Sequence, residues 1–405
     1  MGSKTGSGRG IVVSADSMTD TDSFPAELTV LLACARKHMR QEDSDRAGAA
    51  IRTGVDWELL LKLSDAHGLL PLLHKHASSG AVRLPHETRE RLGERSDANA
   101  GRSLALSVEL VKLLRAFDAE RIPVLPLKGP ILAEIVYASV ALRQMRDLDL
   151  LFRASDLARA ARLIEDYGYR LEKRLPRKLA ALAPEFGHHV SASAPAIGVC
   201  LELHFFLLVP HGRRRVDLDC VLPRLRRVPF MGVQVPALPA EDLFAYLCEH
   251  GGNHAWGRLE WLATVAELGR ADLHGDWDAV RKAAVRLGGM RRLEAAVALA
   301  EMLIGPLDNE QLSRGDAWTR AANRSVVRSL TRNPLRIIPA PLQQFTYTFR
   351  TDAGATARLQ RCWMTFAVPT PADLKCFSLP LRFWLLYCVL RPLRLLIRWL
   401  AGRSS

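Results

Sequence analysis

Hydrophobic positions recur at helical spacing along two long stretches of the chain. Residues 25–104 carry apolar side chains three and four positions apart with charged residues between them, and residues 240–303 repeat this pattern. Such spacing lines one face of a helix with apolar side chains, so both stretches are predicted to form packed amphipathic helices.

The pattern changes between these stretches, where short apolar segments alternate with helical ones. The predicted strands are residues 122–128, 146–152, 169–175, 188–193 and 198–208, of which the last two form an antiparallel pair. Helices are predicted between the first three strands, and Ser155 is the expected N-cap of the second helix. This order of elements predicts an α/β or α+β domain.

Composition and pattern together divide the chain into six regions. They are a disordered tail (1–24), an N-terminal helical region (25–104), a core domain of strands and helices (105–235), a helical domain (236–305), an irregular or helical region (306–376) and a basic amphipathic segment (377–405). The tail is rich in Gly, Ser, Thr and Asp, and its one short apolar run cannot form the core of a signal peptide.

The charge balance and the cysteines narrow the class of protein. The 405 residues include 56 Lys and Arg against 43 Asp and Glu, a formal net charge of +13, which favours anionic partners such as nucleotides, nucleic acid or acidic lipid. The basic residues are spread along the chain, which disfavours a nucleic-acid-modifying enzyme. Seven cysteines without a Cys-x-x-Cys pair argue against disulfides or structural zinc and favour the reducing cytoplasm.

Lys128, Gly129 and Pro130 stand at a predicted junction between a strand and a helix. Gly129 permits a tight turn and a close approach of the backbone to a ligand, and Pro130 suits a first helical turn. Because the N–H groups at a helix start attract anions, Lys128 beside them is a candidate phosphate ligand. An ordinary turn with a surface lysine is the alternative.

Asp147 and Asp149 are two residues apart in a predicted strand, so their carboxylates share one face while Leu148 and Leu150 face the core. Two carboxylates this close repel each other unless a cation lies between them. Mg²⁺ prefers oxygen ligands and shares them with substrate phosphates. The motif therefore predicts a divalent-metal site, with a solvated acidic strand edge as the alternative.

Glu202 and His204 share one face of a later strand, opposite the leucines of that strand. A carboxylate in an apolar strand is costly unless it is paired or bound to a metal. Glu202 is therefore a candidate third carboxylate for a two-metal phosphoryl-transfer site. A salt bridge with Arg213 or Arg214 is the alternative.

The combination of a strand, Lys-Gly at a helix start, Asp-x-Asp on the next strand and an acid on a later strand resembles the nucleotidyltransferase superfamily, with its polymerase-β-like core. More narrowly, the chain resembles the bacterial uncharacterised nucleotidyltransferase family, and its Lys-Gly motif is similar to that of abortive-infection toxin nucleotidyltransferases. The resemblance extends over about residues 104–270. The motifs that carry it are residues 125–133, Tyr137, 142–151, 167–169 and 201–204.

The resemblance implies an α+β nucleotidyltransferase fold with a mixed sheet, flanked by N-terminal and C-terminal helical regions. The implied catalytic residues, which would also bind Mg²⁺ or Mn²⁺, are Asp147, Asp149 and Glu202. The implied nucleotide-binding residues are Lys128, Gly129, Arg143 and His204.

The activity implied is transfer of a nucleoside monophosphate (NMP) group from a nucleoside triphosphate (NTP) such as ATP to an acceptor hydroxyl, with release of pyrophosphate. The sequence does not identify the acceptor, whether a small molecule, a sugar, a protein or a tRNA. The alternative is a catalytically inactive module with the same fold, which binds nucleotide, RNA or an anionic membrane surface.

A second Asp-x-Asp motif at residues 217–219 lacks a preceding glycine turn and is interpreted as unrelated to the metal site. His250 and His254 are four residues apart, but two adjacent glycines weaken the helix that a zinc site with this spacing needs. With Trp256 and Arg258, these histidines are predicted to form either the far wall of the nucleotide cleft or a packed helical core.

The segment 377–405 contains five arginines and no acidic residue. Its longest uncharged apolar run is far shorter than the roughly 20 residues of a membrane span. Arg391, Arg394 and Arg398 share one helical face, opposite apolar residues. This pattern predicts either peripheral contact with an anionic membrane or docking of the apolar face into a groove of the same chain.

Overall fold

A computed structural model describes the chain over residues 24–173, 175, 189–208, 216–271, 276–287, 289–307, 315–368, 373, 376 and 384–401. The tail predicted for residues 1–24 lies outside the described residues apart from Phe24. Arg213 and Arg214, the alternative partners of Glu202, and the side chain of Arg398 also lie outside them.

Five helices form the N-terminal part of the described chain. They are α1 (Ala26–Ala33), α2 (Gln41–Thr53), α3 (Trp57–Ala66), α4 (Leu70–Ser78) and α5 (His86–Ala119). Helix α3 begins where the Asp56 carboxylate accepts a hydrogen bond from the Leu59 N–H, as expected for an aspartate N-cap. Helix α5 passes through residue 104, and its buried Asn99 donates a hydrogen bond to the Arg143 carbonyl ahead of the sheet.

A five-stranded mixed sheet forms the centre of the described chain. Its strands are β1 (Val124–Pro126), β2 (Asp147–Phe152), β3 (Arg170–Leu171), β4 (His189–Ala194) and β5 (Val199–His204). The order across the sheet is β1-β2-β5-β4-β3, in which β2 and β5 are parallel and the other neighbours are antiparallel. The predicted α+β class, the mixed sheet and the final antiparallel pair are therefore confirmed.

Alternating leucines anchor this sheet. Leu148 and Leu150 of β2, with Leu201 and Leu203 of β5, are almost fully buried. They share one hydrophobic cluster with side chains of α5 and of two helices that follow β1 and β2, namely α6 (Gly129–Tyr137) and α7 (Leu157–Asp166). Each buried leucine contributes roughly 2 kcal/mol to the stability of the fold. The leucines therefore determine which face of the sheet is buried, and the acidic residues that alternate with them point to the opposite face.

Helix α7 begins one residue later than predicted. The N-cap is Asp156, whose side chain makes no capping hydrogen bond, so the expected cap at Ser155 is wrong. A turn closed by the Asp156 N–H and the Arg153 carbonyl precedes the helix and displaces its start. Beyond the sheet lie α8 (Leu218–Val221) and a hairpin of β6 (Arg226–Phe230) with β7 (Val233–Ala237).

Eight helices form the rest of the described chain. They are α9 (Ala240–Asn253), α10 (Leu259–Ala271), α11 (Trp277–Leu287), α12 (Met290–Leu303), α13 (Ala317–Arg332), α14 (Pro341–Thr351), α15 (Gly354–Phe366) and α16 (Trp384–Ala401). The turn from α9 to α10 buries Trp256, whose Nε1–H donates to the Tyr347 hydroxyl at 2.7 Å. Gly251 makes room for this ring, since a Cβ there would lie 2.2 Å from it.

Arg292 on α12 connects several of these helices from inside. Its guanidinium lies 2.7 Å from Glu249 on α9 and 2.8 Å from Asp352 at the end of α14, and all three residues are buried. Arg361 on α15 also pairs with Asp352. Because breaking a buried ion pair costs about 3–5 kcal/mol, this network fixes how α9, α12, α14 and α15 pack together.

The C-terminal helix α16 packs with arginines inward. Arg391 is buried and pairs with Asp373, which also pairs with Arg394 at 2.6 Å. Leu393 and Ile397 are 53% and 57% exposed. Docking of the apolar face into a groove is therefore wrong for these side chains, because the fully buried Asp373 requires cationic partners. Within the described part of the chain, no helix has both the length and the apolar character needed to cross a membrane.

His67, which follows α3, joins the N-terminal helices to two distant segments. Its Nε2 lies 2.7 Å from the Pro334 carbonyl oxygen, and its Nδ1 lies 3.3 Å from the Leu259 N–H. Since a carbonyl oxygen only accepts, Nε2 carries the proton, Nδ1 accepts, and the ring is neutral. Burial lowers the pKa of His67 to about 4, although the hydrogen bond to Pro334 offsets part of this effect.

We expect His67 to make the protein less stable in acid. The unfolded chain takes up a proton at this ring below pH 6.5, whereas the folded chain does so only near pH 4, so acid favours unfolding across this window. The variant His67→Gln should be less stable than wild type at neutral pH. Below pH 6.5 its free energy of unfolding should fall less steeply than that of wild type, by up to about 1.4 kcal/mol per pH unit.

Urea unfolding from neutral pH down to about pH 4.5 measures this difference. His86→Gln, at an exposed histidine of α5, is the matched control and should follow the wild-type profile. Parallel profiles for wild type and His67→Gln would contradict the prediction.

Candidate active site

The turn after β1 places Lys128 against the acidic strand. The Leu127 N–H donates to the Asp149 carbonyl at 3.0 Å, next to the paired residues of β1 and β2. Gly129 then begins α6 with φ of +63°, a left-handed conformation that favours glycine. The Lys128 side chain reaches β2, where its Nζ lies 3.2 Å from Asp149 Oδ2.

Asp149 is held as a buried, ionised carboxylate by two cationic neighbours. Its Oδ2 faces Lys128, and its Oδ1 lies 3.1 Å from His204 Nε2 on β5. Burial alone would raise the pKa of Asp149, but Lys128 and the hydrogen bond from His204 lower it well below its usual value. Against the opposing effect of burial, Asp149 in turn raises the pKa values of Lys128 and His204.

Asp147 faces the same side of β2 but is less well compensated. Burial, and then repulsion by Asp149, raises the pKa of Asp147 to about 6, while Lys128 acts in the opposite direction. Because Lys128 and His204 both contact Asp149, negative charge remains at Asp147 that a further cation would stabilise.

Strands β4 and β5 bring Glu202 and two histidines next to the acidic residues of β2. Glu202 is the direct neighbour of Asp149 in the parallel register of β2 and β5. His189 on β4 stands opposite His204 in the antiparallel register. The Nε2 atoms of His189 and His204 lie 3.8 and 3.2 Å from the Glu202 carboxylate. The sheet register thus gathers carboxylates and imidazoles at one point.

These groups line a cavity of about 590 Å³ that is also lined by α9 and α10. Three aromatic side chains cluster in the same lining: the ring centroids of His250 and His254 are 4.8 Å apart, and Trp261 lies 5.4 and 5.2 Å from them. Burial lowers the pKa of both histidines, which keeps their rings neutral. Of the residues in this predicted wall, His250, His254 and Arg258 line the cavity together with Trp261, whereas Trp256 is buried in the core.

Arg143 and Arg258 flank the buried Glu260 in the cavity wall. Arg258 Nη1 lies 3.3 Å and Arg143 Nη2 3.9 Å from Glu260 Oε1. Beside them, Gln144 donates to Asp65 of α3 at 2.8 Å. One carboxylate facing two guanidinium groups leaves an excess of positive charge at the cavity, which suits an anionic ligand.

A family model described as an uncharacterised nucleotidyltransferase matches residues 53–305, more than half of the chain. The chain belongs to this family. The match extends beyond the resemblance over residues 104–270 at both ends and includes most of the N-terminal helices. Among curated proteins, no relative matches. A solution structure of the antibiotic-resistance factor ANT(2'')-Ia is similar at 14% identity with a TM-score of 0.30, covering 49% of this chain and 90% of that chain.

The cavity of this nucleotidyltransferase family member also uses residues beyond the matched region. Its lining includes side chains of α14 and α15, namely Gln344, Phe345, Thr348, Arg361 and Thr365. These helices follow residue 305, so the family region alone does not enclose the cavity.

Most of the predicted nucleotidyltransferase residues are brought together. Those that line the cavity are Lys128, Arg143, Asp147, Asp149, Glu202 and His204. Gly129 instead shapes the turn that directs Lys128 to Asp149. The second Asp-x-Asp motif serves other purposes, since Asp217 caps α8 and Asp219 pairs with Arg153 at 2.6 Å.

Sequence reasoning missed His189, Tyr246 and Glu260, which also line the cavity. His189 had a signal, because polar and apolar residues alternate along β4 and its polar face adjoins that of β5. Tyr246 and Glu260 had none, because only the packing of α9 and α10 against the sheet domain brings them to the cavity.

We expect Lys128 and Asp149 to be strongly coupled in stability. In a double-mutant cycle of Lys128→Met and Asp149→Asn, each single change should destabilise the fold by about 3 kcal/mol, because it leaves a buried charge with less compensation. The coupling energy should exceed about 1 kcal/mol.

The cycle is measured by denaturant unfolding of the four proteins. The exposed pair Arg153 and Asp219, with side chains 33% and 60% exposed, supplies the matched control cycle, whose coupling should stay below about 1 kcal/mol. Equal coupling energies in the two cycles would refute the role given to Lys128.

Proposed function

We propose that the protein is a divalent-metal-dependent nucleotidyltransferase, which moves an NMP group from an NTP to an acceptor hydroxyl and releases pyrophosphate. The observation that carries this proposal is the register of β2 with β5. It sets Asp149 beside Glu202, with Asp147 on the same wall of one cavity. Membership of the nucleotidyltransferase family supports the proposal.

The three carboxylates suit Mg²⁺ or Mn²⁺. Both ions prefer carboxylate oxygens, and Mg²⁺ commonly shares them with substrate phosphates. The raised pKa of Asp147, caused by burial and by Asp149, marks a charge that the protein compensates poorly. Asp147, Asp149 and Glu202 are therefore the expected ligands. A bound ion would neutralise charge on the triphosphate and position the reacting oxygens.

Lys128 and the two cavity arginines would supply the remaining positive charge. Lys128 holds Asp149 ionised, which keeps this carboxylate ready to bind a cation. Arg143 and Arg258 share one carboxylate and so retain charge for the triphosphate. Nucleotidyl transfer depends mainly on positioning and charge neutralisation, as phosphoryl transfer does, so these groups suffice for the chemistry.

The aromatic part of the cavity lining suits a nucleobase. His250, His254 and Trp261 present neutral aromatic rings to the cavity. Flat rings stack on any base with little preference for its identity. This agrees with an NTP substrate, ATP or another, whose base is undetermined.

One observation favours the alternative of an inactive nucleotide-binding module. Both oxygens of Asp149 already face protein cations, Lys128 and His204, so this carboxylate is compensated without a metal. Nucleotide binding that depends on Mg²⁺ without pyrophosphate release would favour this alternative. RNA binding, contact of residues 377–405 with an anionic membrane, and residence in the cytoplasm stay predictions.

We expect Asp147→Ala to abolish Mg²⁺-dependent transfer of label from NTP, because it removes a metal ligand that protein cations compensate poorly. The measurement incubates α-labelled NTPs and Mg²⁺ with cell extract and compares labelled products between wild type and variant. The matched control, Asp219→Ala, alters an acidic residue outside the cavity and should retain the activity. Labelled product with Asp147→Ala would refute the metal assignment, and the wild-type product would identify the class of acceptor.

We expect Arg258→Ala to weaken NTP binding by about 10–100-fold, because a charge-assisted contact is worth roughly 1.5–3 kcal/mol. The variant should raise the KM for NTP more than it lowers kcat, and equilibrium binding of labelled NTP should weaken in parallel. Arg159→Ala, at a half-exposed arginine paired with Asp156, is the control and should change neither quantity. Unchanged NTP affinity in Arg258→Ala would exclude this arginine from phosphate binding.

A further inference from the structure

A second group of metal-binding side chains lies beside the acidic pair. His189, Glu202 and His204 offer two imidazole nitrogens and a carboxylate oxygen, and these atoms lie within 4.8 Å of one another. All three belong to adjacent strands, where His189 stands opposite His204. Because regular strands position side chains more rigidly than loops do, the group is preformed by the sheet.

The spacing of these atoms matches a compact metal site. His204 Nε2 lies 3.2 Å from Glu202 Oε2, and His189 Nε2 lies 3.8 Å from Glu202 Oε1. Zn²⁺ binds nitrogen and oxygen at about 2.0–2.2 Å in tetrahedral geometry, which separates neighbouring ligand atoms by roughly 3.3–3.6 Å. These two distances bracket this range, and the two imidazole nitrogens lie within 4.8 Å of each other, so an ion fits after the histidine side chains adjust.

The ligand types distinguish this group from the site of Asp147 and Asp149. Mg²⁺ takes oxygen ligands, whereas imidazole nitrogen suits Zn²⁺ and neighbouring transition metals. Two histidines and one carboxylate supply three protein ligands, which is the number found in zinc sites that keep one coordination position open.

Burial places the open position toward the cavity. The side chain of His204 is 5% exposed, whereas those of His189 and Glu202 are 29% and 30% exposed, and all three line the cavity. Asp149 Oδ1 lies 3.1 Å from His204 Nε2, so an ion bound to this nitrogen replaces the proton that His204 shares with Asp149. The group is therefore anchored on the protein side and accessible from the substrate side.

We propose that His189, Glu202 and His204 bind Zn²⁺ at a site separate from the oxygen site of Asp147 and Asp149, with Glu202 shared between the two. The open position of the ion takes a water molecule or an oxygen atom of a ligand in the cavity. The proposal does not require nucleotidyl transfer, because the pairing of β4 with β5 assembles the ligands.

Metal titration of the full-length protein tests the site directly. After removal of metal with a chelator, Co²⁺ serves as a coloured substitute for Zn²⁺, and its visible absorption reports nitrogen coordination. We expect one equivalent to bind, to be displaced by Zn²⁺ and to resist excess Mg²⁺. The variant His189→Ala should weaken Co²⁺ binding by about 100-fold or more. Loss of an outer-sphere partner already costs about 10–100-fold in metal affinity, and loss of a direct ligand costs at least as much.

Two variants serve as matched controls. Asp219→Asn removes an acid that lies outside the cavity and should leave Co²⁺ affinity unchanged. His254→Ala removes a histidine of the same cavity that lies outside the group, and should do likewise. The proposal is overturned if Co²⁺ does not bind stoichiometrically, if His189→Ala binds it as wild type does, or if His254→Ala abolishes binding.

The zinc site and the proposed function fail in distinguishable ways. The zinc site alone is overturned if the protein does not bind Co²⁺ but transfers label in the presence of Mg²⁺, and Asp147→Ala abolishes this transfer. Stoichiometric Co²⁺ binding that depends on His189, in a protein without label transfer, supports the zinc site and contradicts the enzyme proposal.

Discussion

Burial of acidic side chains on β2 is the constraint around which the candidate site is organised. An isolated carboxylate taken out of water costs several kcal/mol, so Asp149 persists as an anion only with cations beside it. Lys128 and His204 provide them from opposite sides, at 3.2 and 3.1 Å. The left-handed Gly129 and the parallel pairing of β5 with β2 are the structural means by which these two cations reach Asp149.

The local parts of this arrangement could be predicted from sequence, because they depend on neighbouring residues. Period-two alternation places Asp147 and Asp149 on one face, and Lys-Gly-Pro indicates a turn into a helix. The partner of Lys128 could not be predicted, since it depends on how far β2 lies from that turn. His189 was missed for a related reason: its place depends on the register of β4 with β5.

Helix α16 shows a different limit of prediction from sequence. An amphipathic pattern identifies two faces but does not decide which one is packed. Here Asp373, fully buried, draws Arg391 and Arg394 inward and leaves Leu393 and Ile397 largely exposed. One acidic residue outside the helix thus reverses the orientation that hydrophobicity alone indicates.

The cavity has two walls of different origin. The carboxylates, His189 and the paired arginines lie within residues 53–305, whereas Gln344, Phe345 and Thr348 come from α14, beyond the region matched by the family model. Substitutions on α14 can therefore alter the shape of the cavity without disturbing the acidic sheet face. The choice of ligand and the acidic groups of the cavity can therefore change independently of each other.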